Sequence, residues 1–177
     1  LSVFEDGFTL GAAEAVAPAQ TDAEVLQQLT TLVDHSLVDR VEGEADQPRY
    51  AMLETVREFG LELLETHGEA ATARQRHLDW FAEQLGVMSD EQWFDYGYSR
   101  AFSLPGEENN LRSALSWAFA HGESSKAAQI TLRLAPFWRR NGYFEEAAAN
   151  FARLAGQLES LSPLTVAGIK VRHAEFI

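Results

Sequence analysis

The sequence predicts a mainly α-helical protein with one small β-hairpin in its N-terminal third. Two observations favour helices: apolar residues recur every three or four positions along most of the 177 residues, and Ser or Thr caps precede several of these runs. A third observation places the hairpin. The segments 37–41 and 49–53 are short and β-prone, and the polar, acidic loop 43–48 joins them.

The first third of the chain combines this hairpin with three predicted helices. Thr9 can cap a short helix over 10–17, because a hydroxyl oxygen accepts a hydrogen bond from the first helical turn. Thr21 can cap a second, amphipathic helix in the same way, and a third helix over 54–66 follows the hairpin. Helix, helix, hairpin, helix is the order of a winged-helix-like domain, which we predict for residues 1–67.

Helical periodicity continues to the C-terminus. We predict a linking helix over 69–89 and an aromatic-rich connector over 90–106, so that residues 68–106 join the first domain to a second one. Residues 107–177 are predicted to form TPR-like helical repeats, since pairs of short helices with tight turns are typical of such arrays. The helices of this region are expected over 107–121, 124–140, 143–158 and 163–177.

The charge distribution guides the prediction of partners. The net charge is −13, and residues 1–67 contribute −11 of it, from fourteen acidic and three basic residues. No Lys or Arg occurs between Asp22 and Asp39, where a recognition helix would lie. Because phosphate backbones are polyanions, we expect no direct contact of this region with nucleic acid. The alternative is a DNA-binding winged-helix transcription factor with a helical dimerisation tail.

Enzymatic, metal-binding and membrane functions find no support in the residues. Cysteine is absent, and the five histidines show no ligand spacing. The pair Glu107 and Glu108 lies at the N-terminus of a predicted helix, where the helix dipole favours negative charge. No long apolar run or basic leader occurs, so we expect a cytoplasmic protein that is not an enzyme. The start at Leu1 and the apolar end suggest an internal segment of a larger protein.

Four stretches resemble a known family of regulators: 1–10, 32–38, 49–59 and 109–118. They are similar to the STAND-class, NB-ARC-like signal-transduction ATPases found in LuxR-type and AfsR-type transcriptional regulators. In that family a winged helix and helical repeats follow a nucleotide-binding domain. The resemblance implies a non-catalytic regulatory segment, in which the winged helix docks on the upstream ATPase domain and the repeats sense a protein or small-molecule inducer.

The same resemblance bears on the cofactor. ATP or ADP is implied for the intact protein, but the chain has no phosphate-binding loop of the type Gly-x-x-x-x-Gly-Lys-Ser/Thr. Met52, Leu53 and Glu54 match the position of a nucleotide-sensing motif in related proteins. Leu53 stands where that motif has a histidine, and its side chain cannot donate a hydrogen bond to a phosphate.

Overall fold

The computed structural model describes residues 1–18, 21–41, 48–86 and 106–176. Eight α-helices, three short strands and one 3₁₀ turn lie within these ranges. The strands are β1 (Phe8–Thr9), β2 (Asp39–Val41) and β3 (Arg49–Ala51). The helices are α1 (Leu10–Val16), α2 (Asp22–Asp34), α3 (Glu54–Thr66), α4 (Ala70–Leu85), α5 (Glu108–Ala120), α6 (Ser124–Asn141), α7 (Phe144–Ala155) and α8 (Pro163–His173). The 3₁₀ turn is Leu158–Ser160.

The predicted fold class is confirmed, and the predicted hairpin is present with an extra strand. β2 and β3 pair antiparallel with Arg40 opposite Tyr50, and β1 adds to the other edge of β3 through Phe8 and Tyr50. Gly7 permits this approach, because it has a φ of +85° and a Cβ there would lie 2.4 Å from the Tyr50 carbonyl oxygen. A two-residue strand has no periodicity of its own, so the sequence did not predict β1.

Contacts divide the chain into two compact units. Unit 1 comprises Leu1–Trp80 and Gly106–Ser113, and unit 2 comprises Phe81–Pro105 and Ala114–Ile177. The predicted connector over 90–106 lies almost wholly outside the described residues. The domain boundaries expected from the sequence stay a prediction.

A buried asparagine organises the polar contacts of unit 1. Asn110 is fully buried, and its side-chain oxygen accepts a hydrogen bond of 2.7 Å from the Glu5 backbone N–H. Its amide nitrogen donates to the Gly7 carbonyl at 2.9 Å and to the Glu107 carboxylate at 2.6 Å. Buried polar groups are costly unless they are hydrogen-bonded, so these contacts tie the start of α5 to the N-terminal segment.

An ion pair lies beside Asn110. The Arg49 guanidinium contacts the Glu107 carboxylate, and both side chains are largely buried, at 13% and 8% exposed. Arg49 also donates to the carbonyl oxygens of Asp6 at 3.2 Å and Gly106 at 3.1 Å. Glu107 was assigned from the sequence to a helix terminus, and the structure places it just before α5 as the buried partner of a strand arginine.

His77 of α4 is a second buried polar group in unit 1. Its side chain is 2% exposed, and its ring lies 4.9 Å from the Phe4 ring, centroid to centroid. Burial, assisted by the charge of Arg74, lowers the pKa of His77 from 6.5 to about 4. The imidazole is therefore neutral in the folded protein at neutral pH.

This burial predicts a pH dependence of stability. Below the unfolded-state pKa of 6.5, the unfolded chain binds a proton that the folded chain accepts only near pH 4. The free energy of unfolding is therefore highest above pH 6.5, and it falls as the pH drops from 6.5 towards 4. We expect a loss on the order of 2 kcal/mol between about pH 6.5 and pH 5. The measurement is urea unfolding at several pH values for the protein and for His77→Phe. The free energy of unfolding of His77→Phe should lack this dependence on pH. The same dependence on pH in both proteins would contradict a buried, neutral His77.

Unit 2 is built around α6. This helix buries nine residues along its length, and Gly142 ends it in the left-handed conformation with a φ of +76°. Trp138 of α6 packs edge-on against Phe151 of α7 at 6.4 Å between ring centroids, and both are buried. The helix predicted over 143–158 ends at Ala155, because a 3₁₀ turn follows it, and the last described helix ends at His173.

Candidate nucleic-acid interface

Thr21 caps the N-terminal end of α2. The Thr21 hydroxyl oxygen accepts a hydrogen bond of 3.3 Å from the Glu24 N–H, and Asp22 and Glu24 lie in the first turn, where the helix dipole favours carboxylates. Val25 and Leu29 are buried and hold one side of α2 against unit 1. The helix therefore presents its opposite side to solvent.

The exposed side of α2 carries neutral polar groups. Gln27, Thr30 and Thr31 are all exposed and follow one another at helical spacing. The hydroxyls of Thr30 and Thr31 donate to the carbonyl oxygens four residues earlier, at 2.8 and 2.9 Å. Each hydroxyl oxygen keeps acceptor capacity, and the Gln27 amide offers both a donor and an acceptor. These are the groups that read base edges: an amide pairs with adenine, and Thr contacts several bases.

Basic side chains are few around this face. α2 has no Lys or Arg, and of the two arginines in β2 and β3, Arg49 is engaged by Glu107 inside unit 1. Arg40 is exposed on β2. This face therefore offers neutral hydrogen-bonding groups and few cations for phosphate contacts.

The predicted nucleotide-sensing residues lie elsewhere, between β3 and α3. The Met52 sulfur is 3.9 Å from the Ser2 hydroxyl, and Leu53 is 63% exposed at the N-terminal end of α3. Glu54 is exposed and accepts hydrogen bonds of 2.6 and 2.9 Å from Arg57, which lower the pKa of its carboxyl group. The three side chains form no common polar site, and their proposed role in sensing nucleotide stays a prediction.

Two further observations concern metal ions and membranes. Within the described ranges, no three His, Asp or Glu side chains are grouped so that they could hold a metal ion. No helix in the same part of the chain is both long and apolar enough to cross a membrane.

Comparison with known families decides the nature of the first domain. Residues 1–65 match the family model described as a winged helix-turn-helix domain. The N-terminal part of the chain is a winged helix-turn-helix domain. Along this domain α1 and α2 come before the paired strands β2 and β3. In a helix-turn-helix the second helix is the one that reads DNA.

The winged helix-turn-helix domain and the helices after it resemble parts of larger proteins. The chain is 36% identical over 157 residues to "Putative HTH-type transcriptional regulator Mb0914c" of Mycobacterium bovis and to "Putative HTH-type transcriptional regulator Rv0890c" of Mycobacterium tuberculosis. The matches cover 85% of this chain and 17% of each relative. No solved structure matches the chain. Both relatives are named as putative transcriptional regulators.

The expectation that this region makes no direct contact with nucleic acid is wrong. A winged helix-turn-helix domain, together with relatives named as transcriptional regulators, points to DNA binding instead. The expectation rested on the net charge of residues 1–67, which averages over all surfaces, and on the absence of Lys and Arg between Asp22 and Asp39. Base recognition depends on one helix face, and on that face Gln27, Thr30 and Thr31 are neutral hydrogen-bonding residues.

Proposed function

We propose that the chain is the DNA-reading part of a transcriptional regulator, in which α2 enters the major groove and the helices of unit 2 serve regulation or dimerisation. The observation that carries this proposal is the exposed face of α2. A helix-turn-helix presents there an amide and two hydroxyls, those of Gln27, Thr30 and Thr31, next to Leu26, which is 47% exposed. This is the alternative function that the sequence left open.

The charges around α2 determine how strongly the DNA affinity should depend on salt concentration. α2 carries three carboxylates, those of Asp22, Glu24 and Asp34, and Arg40 is an exposed cation on the strand that follows it. Each phosphate contact contributes a slope of about −0.9 in log affinity against log salt. We therefore expect an unusually shallow salt dependence, near −1, and a preference for sites that offer base donors such as the cytosine amino group to Asp34.

A pair of adjacent glutamines tests the proposal. Gln27 lies on the exposed face, whereas Gln28 points to the other side of the helix and lines an apolar groove of unit 1. Duplexes selected by the whole chain from a randomised pool would be titrated by fluorescence anisotropy. Gln27→Ala should weaken binding by about 1–3 kcal/mol, the value of one good bidentate base contact, and Gln28→Ala should leave it unchanged.

Two outcomes would contradict this prediction. Either no duplex is enriched over the random pool, or Gln28→Ala weakens binding as much as Gln27→Ala. Circular dichroism of both variants provides the control, since neither side chain is buried and the helix content should be unchanged.

A finer proposal follows from the resemblance to STAND-class ATPases. In the longer protein an upstream nucleotide-binding domain would control access of the winged helix to DNA, and unit 2 would sense an inducer. The chain spans 17% of the length of the relatives it matches, so this control belongs to the whole protein. It predicts that ADP and ATP change the DNA affinity of the intact protein; equal affinities with either nucleotide would contradict it.

A further inference from the structure

The winged helix-turn-helix domain has few cations, and most of them are held by carboxylates. Residues 1–67 contain three basic side chains, all of them arginines. Arg57 pairs with a glutamate of its own helix at 2.6 Å, and Arg49 pairs with Glu107. Arg40 is exposed. Since a DNA-binding protein holds phosphates with Lys and Arg side chains, these ion pairs limit the phosphate contacts that the domain can make.

Arg49 lies in the hairpin that follows α2. It is the first residue of β3 and lies opposite Val41, the last residue of β2. Arg40 precedes Val41 on the same strand, and four residues separate this strand from the end of α2. Two hairpin arginines therefore follow the helix that reads DNA. Arg40 is open to solvent, whereas the side chain of Arg49 is 13% exposed.

Both terminal nitrogens of the Arg49 guanidinium are engaged inside unit 1. One contacts the Glu107 carboxylate, and the other donates to the carbonyl oxygens of Asp6 at 3.2 Å and Gly106 at 3.1 Å. A guanidinium binds the anionic oxygens of a carboxylate and those of a phosphate with the same donors. Glu107 therefore occupies the group with which Arg49 would hold a DNA phosphate.

Glu107 is itself held in place. Its second carboxylate oxygen accepts a hydrogen bond of 2.6 Å from the Asn110 amide, and its side chain is 8% exposed. Because both charges are largely buried, salt screens this ion pair less than it screens a pair on the surface. Glu107 lies outside residues 1–65, which match the family model, so the anion that occupies Arg49 comes from a later part of the chain.

We propose that Glu107 is a specificity-determining residue, which withholds Arg49 from the phosphates of DNA. The inference rests on the proposed DNA-reading function. Non-specific affinity comes almost entirely from phosphate contacts, whereas contacts with base edges distinguish one sequence from another. A domain whose hairpin arginine is occupied therefore binds random DNA weakly, and its affinity depends on the base contacts of Gln27, Thr30 and Thr31.

Glu107→Gln tests this inference in the whole chain. The new amide has an oxygen that can accept from Asn110, but it has no charge to hold Arg49, whose long side chain can then turn to solvent. We expect one added phosphate contact, which changes the slope of log affinity against log salt from about −0.9 to about −1.8. Lowering NaCl from about 200 to about 50 mM should therefore raise the affinity about 12-fold for the variant and about 3.5-fold for the unaltered chain.

Fluorescence anisotropy with two duplexes measures the consequence for specificity. One duplex is that selected by the unaltered chain, and the other has a random sequence. Glu107→Gln should bind the random duplex more tightly than the unaltered chain does, so the ratio of the two affinities should fall. A loss of structure would weaken binding, whereas the expected result is a gain, so damage to the fold cannot produce it.

Two control variants isolate the released arginine. Glu108→Gln makes the same change in net charge one residue further along, but Glu107 is the member of the pair that contacts Arg49. Its slope should stay within about 0.3 of that of the unaltered chain. The double variant Arg49→Met with Glu107→Leu has neither charge, and it should also keep the slope of the unaltered chain.

A measurement on the unaltered chain applies even if Glu107→Gln does not fold. The side-chain Nε–H signals of the arginines are followed by NMR of the ¹⁵N-labelled chain as the selected duplex is added. The signal of Arg40 should shift, because this side chain is exposed on the hairpin, and the signal of Arg49 should stay in place.

Three results would overturn the proposal. The first is a shift of the Arg49 signal in the unaltered chain at saturating duplex. The second is an unchanged slope for folded Glu107→Gln, and the third is an equal change of slope for Glu108→Gln. Any of these, together with normal binding of the selected duplex, leaves the DNA-reading function standing. Failure of both the unaltered chain and Glu107→Gln to bind any duplex would overturn the two proposals together.

Discussion

Replacing Arg49 with Met is expected to lower the free energy of unfolding of unit 1 by about 3–5 kcal/mol. The substitution removes the cation that faces the buried Glu107 carboxylate and leaves that charge with only the Asn110 amide as a donor among the contacts described above. It also removes the donor to the carbonyl oxygens of Asp6 and Gly106. A buried, uncompensated carboxylate costs far more than the ion pair itself contributes.

Hydrogen exchange can follow unit 1 by itself in the Arg49→Met experiment. The amides of Val25 and Leu29 lie in a helix of this unit, and their exchange should accelerate in the variant. The double variant Arg49→Met with Glu107→Leu should recover much of the loss, because it leaves no buried charge. Arg40→Met is the matched control, since Arg40 is exposed on the neighbouring strand and should cost less than about 0.5 kcal/mol. A loss below about 1 kcal/mol for Arg49→Met would contradict the account.

Trp138→Ala is expected to destabilise unit 2 by about 3–5 kcal/mol, the range for removal of a large aromatic side chain from a core. Trp138 is 1% exposed in the last turn of α6, and its ring packs against that of Phe151, which is fully buried in α7. Truncation would leave a cavity that neighbouring helices cannot close without moving. Urea unfolding, followed by circular dichroism of the helices, measures the change.

Two further variants define the cause of the Trp138 effect. Trp138→Phe keeps most of the apolar volume and should cost clearly less than Trp138→Ala. Val171→Ala removes an apolar side chain that is 49% exposed on α8 and should change stability by no more than about 0.5 kcal/mol. If Trp138→Ala and Val171→Ala had similar effects, α6 would not be the centre of this core.

Local signals in the sequence predicted the helices well. The caps Thr9 and Thr21 are present with their expected hydrogen bonds, and Gly142 ends α6. Each of these features acts within a few residues, so a short stretch of sequence contains all the information needed. Helix ends that depend on a turn, such as Ala155, were placed less accurately.

Long-range contacts of unit 1 could not be predicted in this way. Asn110 contacts Glu5 and Gly7 from more than a hundred residues away along the chain, and Arg49 reaches Glu107 across 58 positions. Nothing in the local pattern around either residue marks it as buried. The strand β1 was missed for a related reason, because its two residues are recognisable as a strand only when paired with β3.

At the candidate interface, the charge of the sequence was a poor predictor of contact with nucleic acid. The absence of Lys and Arg from α2 was read as an argument against nucleic acid, yet the residues that specify bases need not be charged. The signal in the sequence was the spacing of Gln27, Thr30 and Thr31 opposite Val25 and Leu29. The apolar stripe of α3 was visible too, but periodicity alone could not show that it stays uncovered within unit 1.

The most direct test of the DNA-reading face is a chemical-shift map of the ¹⁵N-labelled whole chain on addition of its selected duplex. If α2 reads bases, the largest shifts will be at the backbone amides of Gln27, Thr30 and Thr31 and at the Gln27 side-chain amide. The amides of Phe59 and Leu63 in the groove will change little. Shifts confined to α3, or no shifts on α2 at saturating duplex, would contradict the account.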